Sequence, residues 1–518
     1  MAARSVPAMT TSTDTTRPSG SALGAEPGPD DETFPSLDPA TGRVLATYRR
    51  QGAAEVGQVV AAAGEAALWW QAQGPAARRT HLRAWKGVLA RRLHELADLV
   101  HAENGKPHAD AVLEITLAVD HIEWAARHAP KMLGPRRVPS GLMAANQAAT
   151  LEYLPLGVIG VIGPWNYPVF TPMGSLAYAL AAGNAVVFKP SEYTTGVGAW
   201  LVQAWHAAVP ERPDVLQLVT GLGDTGAALC RSGVDKIAFT GSAATGRKVM
   251  AACAEGLVPV LMECGGKDAM IVDDDADVGA AADAALWGGM SNAGQTCIGI
   301  ERVYATEQVY DAFVGELTRR AVTVRPGSDA GASYGPITMP GQVDIIRRHI
   351  ADALSAGGRA VTGGGIDGAY VQPTVLVDVP DSSAAVQEET FGPTLTVSRV
   401  RDAEEALLRT NATSYGLAGA VFSGSKERGM DLARRMRSGM TSVNSVITFA
   451  SVPGLPFGGV GDSGFGRIHG EDGLKEFTRA KSITRQTFAL PTPLLTFARH
   501  PKLTDRLAKV IQVVHGRG

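Results

Sequence analysis

Cysteine is scarce: 518 residues carry four, Cys230, Cys253, Cys264 and Cys297. Four scattered thiols are too few for a disulfide framework and lack the spacing of a zinc site, so neither a cross-link nor a metal is expected, and a reducing cytoplasm fits this usage. Charge imbalance is missing too. A net charge of -3, from 48 basic and 51 acidic residues, leaves no electrostatic footprint for nucleic acid. No secretory signal is visible. Residues 1 to about 32 are rich in Ser, Thr, Pro, Gly and Ala, lack a basic stretch followed by an apolar one, and read as a disordered tail.

Long unbroken apolar runs are absent as well. The stretch from Leu154 to Phe188 carries no charge, but Pro155, Gly157, Gly160, Gly163, Pro164, Pro168, Pro172 and Gly183 interrupt it. A buried strand, a turn, a helix and a second strand explain it better than a membrane span, because breakers at this density are rare in lipid-facing helices.

What is present is an ordinary globular composition, 45% apolar and 19% charged, with length for about three domains. Helical patterns dominate residues 53 to 130. Leu82, Trp85, Leu89, Leu93, Leu96 and Val100 recur at three- and four-residue steps and lay one apolar stripe along a helix, which Asn104-Gly105-Lys106-Pro107 ends. Gln147 to Leu154 reads as a short exposed strand. From Gly157 apolar strands alternate with helices: Val158 to Ile162, Ala185 to Phe188, Val215 to Val219, Lys236 to Thr240 and Val258 to Glu263. Such repeats predict a parallel sheet with helices on both faces and ligands at the carboxyl ends of the strands. A second α/β set runs from Ala269 to about Ala420, with a helix near Tyr310 to Ala321.

Chemistry-bearing residues fall at the joins of this pattern. Gly294-Gln295-Thr296-Cys297-Ile298-Gly299 offers one thiol among small and polar residues just before an apolar segment. Met262-Glu263-Cys264-Gly265-Gly266 sets a carboxylate at a strand end, and Pro164-Trp165-Asn166 sets an amide at another. Nucleophile, base and oxyanion donor are the roles covalent acyl chemistry requires. Phe239-Thr240-Gly241-Ser242-Ala243-Ala244-Thr245-Gly246 leaves a strand and opens a helix, whose free N–H groups suit a pyrophosphate. Gly221-Leu222-Gly223-Asp224-Thr225-Gly226 is a literal dinucleotide fingerprint, but no acid follows about 20 positions on, so a plain glycine-rich turn reads as well.

In these motifs, with Lys189-Pro190-Ser191-Glu192, Glu388-Glu389-Thr390-Phe391-Gly392-Pro393 and Pro456-Phe457-Gly458-Gly459-Val460, the chain resembles the NAD(P)-dependent, non-acylating aldehyde dehydrogenase superfamily from about Phe34 to Thr487. The resemblance implies two doubly wound α/β domains with a small β-strand oligomerisation element. Its segments are 33–140 and 156–265 for cofactor binding, 266–467 for catalysis, and 141–155 with 468–495 for association as a homodimer or homotetramer. It also implies Cys297 as nucleophile, Glu263 as the base that hydrolyses a thioester, and Asn166 as oxyanion donor. Implied cofactor contacts are Ile162, Pro164, Trp165, Lys189, Glu192, Gly241, Ser242, Thr245, Gly246, Gly265, Glu389 and Phe391. A carboxylate at Glu192 suits a ribose 2′-OH and repels a 2′-phosphate, which tilts the expectation to NAD while leaving NADP open. Retention of Glu263 argues against release of the thioester to coenzyme A.

Three departures stand out. Cys264 replaces the usual Leu after the catalytic acid, and Lys267-Asp268-Ala269 replaces Lys-Ser/Asn-Pro. Gly466-Arg467 is followed by Ile468-His469 instead of a second glutamate, so a water relay through that acid is not expected. Glu301 either assists the water or is an ordinary solvated or paired strand residue. Tyr167, Phe170, Gly174 and Phe457 are implied at the substrate entrance and suggest an apolar or aromatic aldehyde at least as readily as succinic semialdehyde, whose carboxylate would want a nearby arginine. Succinate-semialdehyde-type or long-chain aldehyde specificity, or a non-catalytic binding protein of the same fold, are the alternatives. Last, 496–518 forms a basic amphipathic helix, with Leu503, Leu507, Val510, Ile511 and Val514 on one face. Packing on its own protein or on a neighbouring subunit is the expectation, with a membrane surface as the alternative, since one short basic helix gives marginal lipid affinity.

Overall fold

A computed structural model describes residues 32–141, 144–490 and 495–516. Nearly all of the N-terminal segment read as a tail, residues 1–31, lies outside the described residues. Two parallel-dominated sheets organise the rest. The first has six strands in the order Gly464–Phe465, Val260–Cys264, Lys236–Gly241, Val158–Ile162, Ala185–Lys189 and Leu216–Leu218. All its pairings are parallel except that of the edge strand Gly464–Phe465 with Val260–Cys264. The chain lays Ala185–Lys189 on one side of Val158–Ile162 and Lys236–Gly241 on the other. Strand order therefore reverses at Val158–Ile162, and the crevice at such a reversal is where open α/β sheets bind ligands.

Each strand here is an unbroken apolar run because helices cover both faces. Val158–Ile162 is buried for four of its five residues and Ala185–Lys189 for all five. The uncharged stretch between them is the expected strand, turn, helix and strand. Its helix, Phe170–Ala182, is buried at every position and stops at Gly183, whose φ of +102° suits glycine. Among the described residues no helix is long and apolar enough to cross a membrane.

The second sheet has seven strands, in the order Arg359–Thr362, Thr374–Val377, Thr394–Val400, Ile300–Thr306, Asp268–Val272, Gly419–Phe422 and Ser442–Val443. All but the first pair run parallel. A third, antiparallel sheet joins Thr478–Gln486, Gln147–Pro155 and Arg136–Val138. Its long outer strand, Thr478–Gln486, is exposed at every position after Thr478.

Three expectations need correction. The stripe from Leu82 to Val100 lies on two helices, Gly74–Arg91 and Leu93–Asn104. Arg92 leaves helical geometry at the joint (φ -108°, ψ 27°), and its guanidinium lies 4.9 Å from the Trp200 ring centroid and pairs with Glu95. Gly464–Phe465, within the segment assigned to the second domain, returns to the first sheet and pairs with the strand that ends in Glu263 and Cys264. The C-terminal helix forms over Pro501–His515, but none of its residues is buried, so among the described residues nothing of its own chain covers the apolar face.

Candidate active site

A cleft of about 670 Å³ opens at the carboxyl ends of the first sheet and is closed on its far side by loops of the second. Of the residues singled out from the sequence, Ile162, Pro164, Trp165, Asn166, Lys189, Glu192, Gly241, Ser242, Thr245, Gly265, Cys297, Glu389 and Phe391 line it. Gly246 does not. A Cβ there would sit 2.8 Å from the Met262 sulfur and 3.2 Å from that of Cys264, so this glycine lets the helix Ala243–Ala254 settle on the strand Val260–Cys264.

The thiol is presented by a contorted loop. Asn292 and Ala293 (φ 53° and 57°) and Gly294 (φ 69°) take left-handed conformations in succession before Cys297. Two non-glycine residues held so cost about 1–3 kcal/mol each and need outside support. A network of amides supplies it. Asn292 Nδ2 donates to the carbonyls of Asn166 (3.0 Å) and Gln295 (3.2 Å). The Gln295 side chain donates to Asn292 O (2.9 Å) and accepts from Thr338 N (2.8 Å). Asn166 Nδ2 donates to Gln295 O at 2.9 Å, and the Tyr167 hydroxyl meets Thr296 Oγ1 at 3.1 Å. The amide named from the sequence is thus tied to the loop that carries the thiol.

Behind Asn166 stands a buried ion pair. Lys106 Nζ bonds Glu114 (2.5 Å) and the Asn166 carbonyl (2.9 Å), and lies 3.9 Å from the centroid of the Tyr167 ring. Glu114 also accepts from the backbone N–H groups of Val169 and Phe170. Neither charged side chain has any exposure.

Acidity in the site is set mainly by burial. Glu263 is almost fully buried; it accepts from Thr240 Oγ1 at 3.1 Å through Oε2, while Oε1 has no protein partner. Burial pushes its carboxyl up to about 8. Glu389, which accepts from Gly266 N at 3.0 Å, is pushed up to about 8 by burial and the nearby Glu301 charge. Cys297 touches the cleft yet is surrounded by protein. Burial, then the charges of Glu263, Glu389 and Asp268, hold its thiol well above the usual range. The proton therefore rests on sulfur until a neighbouring carboxylate takes it.

The remaining cleft residues suit a dinucleotide. Ser242 caps the helix Ala243–Ala254, accepting from Thr245 N (3.2 Å), so this positive helix end faces the cleft beside Gly241. Gly226, Ala227 and Cys230 on the helix Gly223–Arg231, Val249 and Ala252, Lys189 and Glu192, and Cys297 all line this one cleft. It offers apolar surface, charged side chains, a helix end and a thiol within one site.

The structure also separates residues that the sequence left ambiguous. Glu301 is the paired alternative: it binds Lys267, and its carboxylate accepts from Thr390 N (2.9 Å) and Phe391 N (2.9 Å), which positions the Glu389–Phe391 segment. Cys264 is a small buried side chain. Gly174, implied at the entrance, is instead buried against the 468–469 corner, where a Cβ would lie 2.7 Å from both His469 Nε2 and Ile468 Cδ1. The glycine-rich segment judged a weak fingerprint supplies part of the wall after all, through Leu222, Gly223 and Gly226. Met339, Gln342 and Ile345 line the cleft too, and no motif around them marks them.

Comparison with known proteins agrees with this geometry. Residues 27–483 match the profile of the Aldehyde dehydrogenase family. A 4,4'-diapolycopene aldehyde oxidase from a Methylomonas species is 36% identical over 462 residues, 89% of this chain and 87% of the relative. A glutarate-semialdehyde dehydrogenase from Pseudomonas putida is 35% identical over 458 residues, 87% of this chain and 94% of the relative. Among solved structures, an NAD-dependent aldehyde dehydrogenase from Sinorhizobium meliloti superposes with a TM-score of 0.85 at 32% identity, covering 90% of this chain and 93% of that one. An NADP-dependent enzyme from Escherichia coli gives 0.84 at 33%, covering 88% and 95%.

Proposed function

This chain belongs to the aldehyde dehydrogenase family and is an NAD(P)-dependent aldehyde-oxidising enzyme, and we propose that it converts an apolar aldehyde to its carboxylic acid through a thioester on Cys297. The supporting observation is that Cys297 and Asn166 line one cleft together with the proposed cofactor contacts, while the buried Glu263 lies close enough for its charge to act on the Cys297 thiol.

In this reading a carboxylate of the Glu263–Glu389 pair takes the Cys297 proton, and the sulfur adds to the aldehyde carbon. Asn166 Nδ2, held at the nucleophile loop, donates to the developing oxyanion. A nicotinamide dinucleotide held by Lys189, Glu192, Gly241 and Ser242 would supply the hydride-accepting chemistry that converts the Cys297 adduct to a thioester. Glu263, with one carboxylate oxygen unpartnered, then holds a water and removes its proton as the acyl–sulfur bond is hydrolysed. With its carboxyl pushed up to about 8, Glu263 is about one-tenth ionised at pH 7 and gains base character as pH rises towards 8. Lys189, Glu192, Gly241 and Ser242 hold the dinucleotide, and Glu192 favours NAD over NADP.

Substrate preference is read from the walls. Cys297, like Tyr167 and Phe449, packs against a hydrophobic cluster that includes Phe170, Ile298 and Phe457. The nearby cations Lys106 and Arg467 are committed, Lys106 to Glu114 and Arg467 to the Gly459 and Gly466 carbonyls. An aldehyde with an apolar or aromatic body fits this lining better than a carboxylate-tailed one, which would want a free arginine. The exposed strand Thr478–Gln486 is where subunits would meet in a dimer or tetramer. NADH formation with a panel of aldehydes tests the proposal. Activity should fall from apolar to carboxylate-tailed substrates and vanish in Cys297→Ala, which should still bind the dinucleotide. Steady turnover by Cys297→Ala would refute the covalent route.

A further inference from the structure

The helix Pro501–His515 lies beyond residues 27–483, the part of the chain the family shares, so its role is not explained by the common fold. Among the described residues nothing buries its apolar face. Val510, Ile511, Val513 and Val514 are exposed, and Leu503 and Leu507 are only half-buried. Just before it, Leu495 and Phe497 are fully exposed. Lys502, Arg506 and Lys509 form a stripe along one border of that face. Over 495–515, four bases (with Arg499) against one acid, Asp505, give +3 in a chain whose total is -3.

We infer that this helix lies on an anionic phospholipid surface, with its valine and leucine face in the headgroup–acyl boundary and its basic stripe on the lipid phosphates. An apolar stripe bordered by Lys and Arg is the arrangement for such an interface, where the aliphatic stems lie over apolar surface and the charges reach the headgroups. Pairing with the same helix of a second copy is disfavoured on two counts. A 15-residue helix is about 22 Å long and offers on the order of 200–300 Å² on one face, well below the roughly 800 Å² per partner of a stable interface. It would also bring two basic stripes together with one aspartate each. The helix is too short and too polar to span a bilayer, so the association is peripheral, reversible and salt-sensitive. It does not depend on the substrate reading above.

Vesicle co-sedimentation of the full chain tests this, with phosphatidylcholine–phosphatidylglycerol vesicles against phosphatidylcholine alone. The full chain should pellet with the anionic vesicles and be released by salt. A chain ending at Phe488 should stay in the supernatant. The triple variant Lys502→Glu, Arg506→Glu, Lys509→Glu should bind at least about tenfold more weakly. Unchanged NADH formation with a short, soluble aldehyde shows that each variant is folded. Failure of the full chain to pellet with anionic vesicles would overturn the inference. So would equal pelleting by the shortened chain. Loss of subunit association on shortening, with no lipid binding by the full chain, would assign the face to a second copy.

Discussion

Replacing Glu263 by Gln should make the enzyme more stable while stopping it after one turnover. The side chain is 2% exposed, and burial raises its pKa from 4.5 to about 8. Above pH 4.5 the unfolded chain loses this proton while the folded chain keeps it. Folding must then hold a proton that water would take, so stability falls as pH rises from 4.5 to about 8. At about 1.4 kcal/mol per pH unit, the penalty is about 2 kcal/mol at pH 6 and about 4 kcal/mol at pH 8. Glutamine keeps the shape and can still accept from Thr240, but does not titrate. Denaturant unfolding of both proteins between pH 5 and about 8 should therefore show curves that diverge in favour of Glu263→Gln. In stopped flow, the variant should release one equivalent of NADH per site and then stall at the thioester. Parallel stability curves would refute the buried, protonated carboxyl. Undiminished steady turnover would refute its role as base.

Three further tests probe the scaffold and the cofactor choice. Lys106→Met strands the buried Glu114 carboxylate and leaves Asn292 as the remaining donor to the Asn166 carbonyl, so it should cost about 3–5 kcal/mol in thermal or denaturant unfolding. A loss below about 1 kcal/mol would mean the pair is not desolvated. Gly294→Ala places a Cβ 2.1 Å from the Gly392 carbonyl at a φ of 69°, and should abolish the NADH burst even if the protein still folds. Glu192→Gln removes the charge beside the proposed ribose site and should raise kcat/KM for NADP relative to NAD by about tenfold, roughly 1.4 kcal/mol. An unchanged ratio would place the 2′ position elsewhere.

Legibility differed with the kind of force involved. The strands of the first sheet were readable because each is a short apolar run bounded by glycine or proline, a local signal that burial on both faces makes unavoidable. Val158–Ile162 falls on its expected limits, and the others shift by one or two residues at an end. The break at Arg92 was not readable, because the apolar spacing runs through it and only Trp200 and Glu95 reveal what holds the joint. Cys297, Glu263 and Asn166 could be named because each sits in a short motif at a strand or loop boundary.

Sequence by itself indicated which elements form and, through short motifs and the family resemblance they carry, singled out the thiol and carboxylate proposed for the chemistry and a dinucleotide as cofactor, since spacing and residue type are local properties. Tertiary structure decided the rest. It turned Glu301 from a possible base into the partner of Lys267, and Gly174 from an entrance residue into a contact of His469. It brought Gly223 and Gln342 into one cleft and pushed Glu263 to about 8. Each of these depends on distance and dielectric between segments far apart in the chain, and no local pattern encodes them.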